Sequence, residues 1–302
     1  MPQILSVPDS YTANHLNYNR VFPLIDTKLQ NLIYATQEEY FSFISKDIPV
    51  DYLPSAISQD LFTEFKNRFQ QDLERSELNT ITGLDHARRI DICLGCTQYI
   101  DSLYMRYGPL GVQVLEREYT YHKRINPNLE YRTLDTLIPH KPLIISQPFF
   151  YGKTHIQMNE ILDQCLKFNI PVHIDGAWIT ATKNIHLDFS HMAIHSFAVS
   201  MSKGYGLSGW NRIGVRWTKE YAEDAITTMN DFAQIPAQAV AVGLKFLDAV
   251  PPNYLWKKHA LHYSKICYDF DLTPTGSIHL AMKDNQPIGI EALLRYLEIN
   301  SQ

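Results

Sequence analysis

The sequence predicts an α/β fold, a three-layer α/β/α domain built on a mainly parallel sheet, with a reduced small α+β domain beside it. Three observations carry that expectation. From residue 89 onward, short apolar runs alternate with helical stretches, the pattern of strands joined by crossover helices. Runs such as Leu143–Ser146 and Phe197–Ser200 are apolar almost throughout, as strands covered on both faces are. Residues able to do chemistry (Gly95 to Gln98, Gln147, Asp175 and Lys203) each follow such a run, where open parallel sheets bind ligands.

The elements follow in order. Residues 1–50 read as loops plus one helix near Thr27–Ser42. Ile57, Leu61, Phe65 and Phe69 recur at helical spacing and predict an amphipathic helix over about residues 55–75. Arg89–Leu94 reads as a strand, Thr97–Tyr107 as a helix, and Val112–Glu116 and Leu129–Leu134 as strands. Leu143–Ser146 is a further strand, followed by a helix over Gln157–Phe168. The strands Ile170–Asp175, Phe197–Ser200 and Arg212–Trp217 complete the sheet. Residues 219–262 read as helices broken by Pro251-Pro252, before a strand-like Ser277–Met282 and a closing helix near Ile288–Leu297.

At 302 residues the chain can bury a substantial core. A formal charge of −5 with no basic tract argues against nucleic acid as a partner. No apolar stretch is long enough for a membrane span, and Met1-Pro2-Gln3-Ile4 lacks a signal-peptide pattern, so a cytoplasmic location is expected. Four cysteines do not make a disulfide framework. Cys93 and Cys96 satisfy C-x-x-C without a second pair and read better as small residues at a strand-to-helix turn. His191 and His195 lack a supporting carboxylate in frame, so no metal site is expected.

The segment from Ser200 to Gly214 holds most of the chemistry. Lys203 is framed by Ser200, Ser202, Gly204, Gly206, Gly209 and Arg212. An isolated loop lysine is ordinarily a surface residue. Here glycines permit close approach, the amine can form a Schiff base with an aldehyde, and Ser200 and Arg212 can hold a phosphate. Asp175 closes a buried strand, either as a helix N-cap or as the partner of a protonated pyridine nitrogen. Gly95-Cys96-Thr97-Gln98 is either an ordinary capped turn or a phosphate site at a helix N-terminus. Tyr119-Thr120-Tyr121 offers an aromatic that could stack on a flat ring, against a background of eighteen tyrosines.

Together these residues resemble the fold-type I pyridoxal-phosphate enzymes, and most closely the class I/II aminotransferases. The lysine segment is similar to that family's S-x-S-K-x-x-x-x-x-G-x-R-x-G signature. His173-Ile174-Asp175-Gly176-Ala177-Trp178 resembles its D-x-A-Y element. The resemblance covers residues 89–217 well and both ends poorly. It implies pyridoxal 5′-phosphate as cofactor, with Lys203 as the catalytic Schiff-base lysine and proton shuttle. It further implies that Asp175 pairs with the pyridine nitrogen, and that Ser200, Ser202, Arg212, Gly95, Cys96 and Thr97 surround the phosphate. Tyr121 would stack on the ring, while Gln147 and Trp178 would face the phenolic oxygen. A homodimer is implied as well, because the family's sites lie at a subunit interface.

Four departures qualify the match. Arg212 stands one residue further from Lys203 than the pattern places it, so Asn211 reads as an insertion. Trp178 replaces a tyrosine, and its indole can donate a hydrogen bond but not accept one. Gln147, within Ser146 to Gly152, stands for an asparagine. Ser277 falls where the family carries its carboxylate-binding arginine, and Arg295 is the only arginine after Arg216. Serine does not replace a guanidinium fork, which leaves Arg20 or an unusual substrate to account for the loss.

The expected division is an N-terminal segment (1–88) shared between small domain and dimer contacts, a cofactor-binding large domain (89–250), and a short C-terminal small domain (251–302). The expected function is an aminotransferase acting on an amino acid or related amine, with a keto-acid acceptor. A lyase or decarboxylase on the same fold is the alternative, and a non-catalytic binding protein a third reading.

Overall fold

The computed structural model describes residues 24, 26–44, 54–109, 111–149 and 152–300. Two helices come first, α1 (Thr27–Ile44) and α2 (Pro54–Glu74), followed by β1 (Thr80–Thr82) and β2 (Arg89–Cys93). Helix α3 (Cys96–Tyr107) leads to β3 (Gln113–Leu115), α4 (Tyr121–Ile125), β4 (Tyr131–Arg132) and β5 (Leu143–Ser146). Then come α5 (Met158–Lys167), β6 (Val172–Asp175), β7 (His186–Asp188) and β8 (Ile194–Ser200). The short α6 (Met201–Gly204) separates β8 from β9 (Gly214–Thr218). Helices α7 (Ala225–Asp231), α8 (Ala237–Ala249) and α9 (Tyr254–Asp269) precede β10 (Thr273–Pro274), β11 (Leu280–Lys283), β12 (Gln286–Gly289) and α10 (Glu291–Asn300).

Seven strands form the main sheet in the order β2-β9-β8-β6-β5-β3-β4. All neighbours are parallel except β9, which runs against both β2 and β8. A parallel return needs a crossover long enough to span the sheet. The β8–β9 link carries only the four-residue α6 and one 3-10 turn, so the chain turns back beside itself. Buried Arg216 on β9 holds the reversed strand, pairing with Asp91 at 2.7 Å and with Asp224.

Both faces of the sheet are covered, which explains the continuous apolar runs. Leu143 and Ile145 of β5 enter one core while Ile144 enters the other. Phe197 and Val199 of β8 part from Ala198 in the same way, the two-residue alternation of a strand. On one face α2 buries Phe62, Phe65, Phe69 and Leu73. Phe65 and Phe69 of the foreseen stripe are fully buried and Leu61 packs half-buried against the same core, while Phe62 and Leu73 widen it; the Ile57 side chain lies outside the described residues. The Phe69 ring lies 6.3 Å from Trp217, which stacks on Phe197 at 5.6 Å. On the other face α3 packs Tyr99, Ile100 and Leu103 toward Val114 and Ile144.

Three local expectations change. The strand foreseen over Leu129–Leu134 shrinks to β4, because Thr133 and Thr136 cap each other and start a 3-10 turn. The strand foreseen over Ser277–Met282 begins at Leu280, and the closing helix begins at Glu291, because Gln286–Gly289 pairs as β12. The parallel pair β1–β7 was not anticipated.

The terminal unit joins α9, the antiparallel β10-β11-β12 sheet and α10. Trp256 of α9 donates Nε1–H to the Ala181 carbonyl at 3.1 Å. Buried Asp26, just ahead of α1, accepts from Lys258 at 2.6 Å and from the Leu29 amide at 3.0 Å, with His259 Nε2 at 3.2 Å. Asp26, His259 and Glu298 lie close enough to ligate a metal ion, a grouping the sequence reading did not foresee. The Lys258 ammonium contacts both carboxylates and supplies a positive charge there. Among the described residues no helix is long and apolar enough to cross a membrane.

Candidate active site

The carboxyl ends of β2, β6 and β8 bring three segments of chain together. Gly95 caps α3 at φ 87°, a conformation that favours glycine. A Cβ there would lie 3.0 Å from Ser200 Oγ and 3.1 Å from Arg212 Nε, so glycine keeps a small polar cradle open. Arg212 donates Nη2–H to the Thr97 hydroxyl at 2.5 Å, while its buried Nε has no partner. Ser200 accepts from the Ser202 amide at 3.2 Å and shares a 2.8 Å contact with the Ser202 hydroxyl. A guanidinium with an unused N–H, hydroxyls and a helix N-terminus together suit a phosphate.

The one-residue insertion is absorbed locally. Gly209–Asn211 forms a 3-10 turn, and the Arg212 amide donates to the Gly209 carbonyl at 3.2 Å. The extra residue is taken up in that turn, and the guanidinium still reaches Thr97.

Asp175 ends β6 in a buried position. It accepts from the Ala177 amide at 2.9 Å and lies against the Cys96 thiol, which also donates to the Ala198 carbonyl at 3.4 Å. Burial raises its pKa, opposed by these donors and by the charge of Lys203. Such a carboxyl gains most from a cationic partner.

Lys203 lies on α6, opened by the Ser200 cap. Gly204 lets this helix press onto the 178–181 turn, since a Cβ there would fall 2.4 Å from Thr180 Oγ1. The Lys203 ammonium stands 4.5 Å from the centre of the Trp178 ring. Burial and the Arg212 charge bring its pKa down to about 8, against the pull of Glu291 and Asp175. Just beyond Lys203, Tyr205 donates to the buried Asp72 of α2.

The remaining expected residues are placed as follows. Tyr121 starts α4, donates to Asp101 at 2.7 Å and stacks on Tyr119 at 5.8 Å; the Arg212 charge reaches it. Gln147 is fully buried, but its amide N–H groups go to Thr154 at 2.9 Å and the His186 carbonyl at 3.1 Å. Its Nε2 is therefore already engaged, while Oε1 has no partner. Cys93 and Cys96 are buried free thiols. Ser277 is occupied in its own turn, its amide donating to Thr275 Oγ1 at 3.1 Å. Arg20 lies outside the described residues.

Two residues escaped the sequence reading. Glu118, two positions past the expected strand, is buried and accepts from the Ser146 amide at 2.5 Å, the Ser146 hydroxyl at 2.7 Å and the Tyr119 amide at 3.0 Å. Burial pushes its pKa up to about 7, and the Asp175 charge adds to the rise. His279 is fully buried, with its ring edge-on to Trp178 at 5.3 Å and neither ring nitrogen partnered. Only the placement of Glu118 just after a strand could have drawn notice.

No protein-family model matches the chain, and no curated protein matches it. Solved structures do. A pyridoxal-phosphate-bound C–S lyase from Staphylococcus hominis, complexed with L-cycloserine, superposes with a TM-score of 0.60 at 10% identity, covering 95% of this chain and 88% of that one. A NifS-like protein gives 0.59 at 11% identity over 88% of this chain and 80% of its own. An aromatic amino acid aminotransferase from Burkholderia cenocepacia gives 0.52 at 14%, covering 88% and 81%. The chain therefore has the fold of the fold-type I pyridoxal-phosphate-dependent enzymes.

Proposed function

We propose that this chain is a pyridoxal-phosphate-dependent enzyme, and within that class an aminotransferase whose amino donor is not an ordinary α-amino acid. The observation that carries the reading is the half-buried Lys203, with its lowered pKa, which feels the charges of both Asp175 and Arg212 of the Gly95–Thr97–Ser200–Arg212 cradle. The residues present fit the cofactor: an unpartnered Arg212 Nε, a cradle that a Cβ would fill, and a buried carboxyl short of a cation.

When bound, pyridoxal phosphate supplies an electron sink for charge developing on the substrate carbon. In this reading the Lys203 amine is the covalent tether to the cofactor aldehyde. A pKa near 8 keeps a useful fraction of that amine unprotonated near neutrality. Once released by the incoming amine, Lys203 Nζ moves the proton at the substrate carbon. With the cofactor bound, Asp175 would hold the pyridine nitrogen protonated, Arg212, Thr97 and Ser200 would bind the phosphate, Tyr121 would flank the ring, and Trp178 would offer its N–H to the phenolic oxygen. The reading includes a keto-acid acceptor, a homodimer and a cytoplasmic setting.

Carbon–sulfur cleavage is the second reading. The likeness to the C–S lyase favours it, as does a neighbour solved in complex with cysteine, at a TM-score of 0.56 and 12% identity. The purified protein should be yellow, and borohydride should fix the cofactor to Lys203 in a peptide digest. Colour and labelling that survive Lys203→Ala would sink the assignment. A donor screen with a keto-acid separates the readings, since only a transferase converts its cofactor to the amine form.

A further inference from the structure

A second buried acid is tied to the strand end that carries Asp175. Strands β5 and β6 pair in parallel with Ser146 opposite Asp175, and the Gln147 amide donates to the Asp175 carbonyl at 2.9 Å. Paired residues of neighbouring strands project from the same face of a sheet, about 4.8 Å apart. Here that face is the α3 side, where Ile144 of β5 shares a core with Cys96 and the Cys96 thiol meets Asp175. Ser146 is in turn held by Glu118, whose carboxylate accepts from the Ser146 amide at 2.5 Å and its hydroxyl at 2.7 Å. The Tyr119 amide donates to the same carboxylate at 3.0 Å. One serine therefore links two buried acids.

Holding a strand end does not require an acid. A glutamine could accept from an amide and a hydroxyl there without bringing an ionisable group into the interior. Burial pushes the Glu118 carboxyl up to about 7, against the Ser146 and Tyr119 donors, and the Asp175 charge raises it further. Tyr104 of α3 and Tyr131 of β4 also feel its charge, and Arg117 and Tyr119 flank it along the chain. Burial pushes both Tyr104 and Tyr131 up, so they stay neutral. His122, which meets the Tyr104 hydroxyl at 3.1 Å, is brought down to about 4 by burial and stays neutral too. Asp175 opposes the Glu118 charge, and a cation placed at Asp175 would relieve that opposition.

We propose that Glu118 is a positioning residue for the ring-nitrogen end of the site: it holds Ser146 beside Asp175, and its ionised carboxylate reinforces Asp175 in keeping a pyridine nitrogen protonated. The coupling is reciprocal. A cationic ring favours the Glu118 carboxylate, and that carboxylate favours the cationic ring by the same factor. The proton that Glu118 gives up as the cofactor docks passes to solvent. This inference rests on the reading of Lys203 and Asp175 as cofactor-binding residues.

The test measures, by equilibrium dialysis, how tightly the full-length protein binds pyridoxal phosphate and its 1-deaza analogue, in which carbon replaces the ring nitrogen. Contributions of the phosphate, the aldehyde and Lys203 cancel in the ratio of the two affinities. At pH 8, Glu118→Gln should lower the preference for pyridoxal phosphate about fivefold or more, an ordinary coupling between two sites. At pH 5.5, where Glu118 carries its proton, wild type and variant should show the same ratio. Between these pH values the wild-type ratio should climb, and Ser146→Ala, which removes the hydroxyl donor, should move that climb upward in pH. Equal losses for both compounds in Glu118→Gln would make Glu118 a structural residue and overturn the inference alone. A wild-type ratio that does not climb would do the same. A wild-type protein that takes up neither compound would overturn the Lys203 and Asp175 reading, and this one with it.

Discussion

Arg212 and Thr97, 115 residues apart in sequence, are joined by a 2.5 Å hydrogen bond that closes the cradle between β2 and β9. The same guanidinium keeps a buried Nε–H unpartnered, so it holds one wall of the cradle while a donor remains for a ligand.

Arg212→Leu should therefore weaken pyridoxal-phosphate binding far more than Thr97→Val does. A hydrogen bond to a charged group contributes about 1.5–3 kcal/mol, which corresponds to roughly a 10- to 150-fold loss in affinity. Equilibrium dialysis of the two variants measures this. Equal losses would mean that Arg212 only supports Thr97.

The lowered pKa of Lys203 makes it a reactive amine in the cofactor-free protein. Its acylation by a small anhydride, followed by peptide mass analysis, should rise with a midpoint near pH 8, below that of exposed lysines. Asp175 and Glu291 both favour its charged form, so Asp175→Asn and Glu291→Gln should each move the midpoint down. An upward move in either would contradict the geometry.

Glu118 and Asp175 each contribute a pH dependence of definite sign to the cofactor-free fold. Both are acids whose folded-state pKa stands above the ordinary value, so the stability they confer is full at low pH and is lost as pH rises. For Glu118 the loss runs from about 4.5 to about 7 and approaches roughly 3 kcal/mol above that window. Urea unfolding at pH 5 and pH 8 should show wild type losing stability relative to Glu118→Gln as pH rises, since the buried histidines contribute equally to both proteins. A parallel fall in wild type and variant would remove Glu118 from the explanation.

Asp26 works in the opposite direction. Burial alone would raise its pKa, but hydrogen bonds from His259, Lys258 and the Leu29 amide outweigh burial and hold it well below the usual range. The stability it confers is present above the ordinary carboxylate pKa and is lost as pH falls. Asp26→Ala leaves Lys258 and His259 without this partner and should cost about 3–5 kcal/mol at neutral pH in chemical denaturation. A loss below about 1 kcal/mol would mean that α1 is held mainly by its apolar contacts.

The main sheet could be read from sequence because its strands are buried on both faces: Leu143–Ser146 is apolar almost to its end and pairs as expected. The β1–β7 pair could not, since Thr80 meets His186 in strands of three residues, too short for any periodicity. In the site, Gly95, Asp175 and Lys203 were visible because each follows an apolar run. His279 was not, because its character comes from burial against Trp178, which is a property of contact and not of spacing. Gln147 shows the converse: its position after a strand is as foreseen, yet its amide is turned to Thr154 and His186.

The antiparallel pairing of β8 with β9 sets Ser200 opposite Gly214. Both feet of the loop bearing Lys203 and Arg212 are thereby clamped by backbone hydrogen bonds. This chain carries its extra residue at Asn211 with that pairing intact, whereas a motif written with a fixed interval passes over such a chain. Kinship at this site is better sought in which strands are clamped together than in how many residues separate a lysine from an arginine.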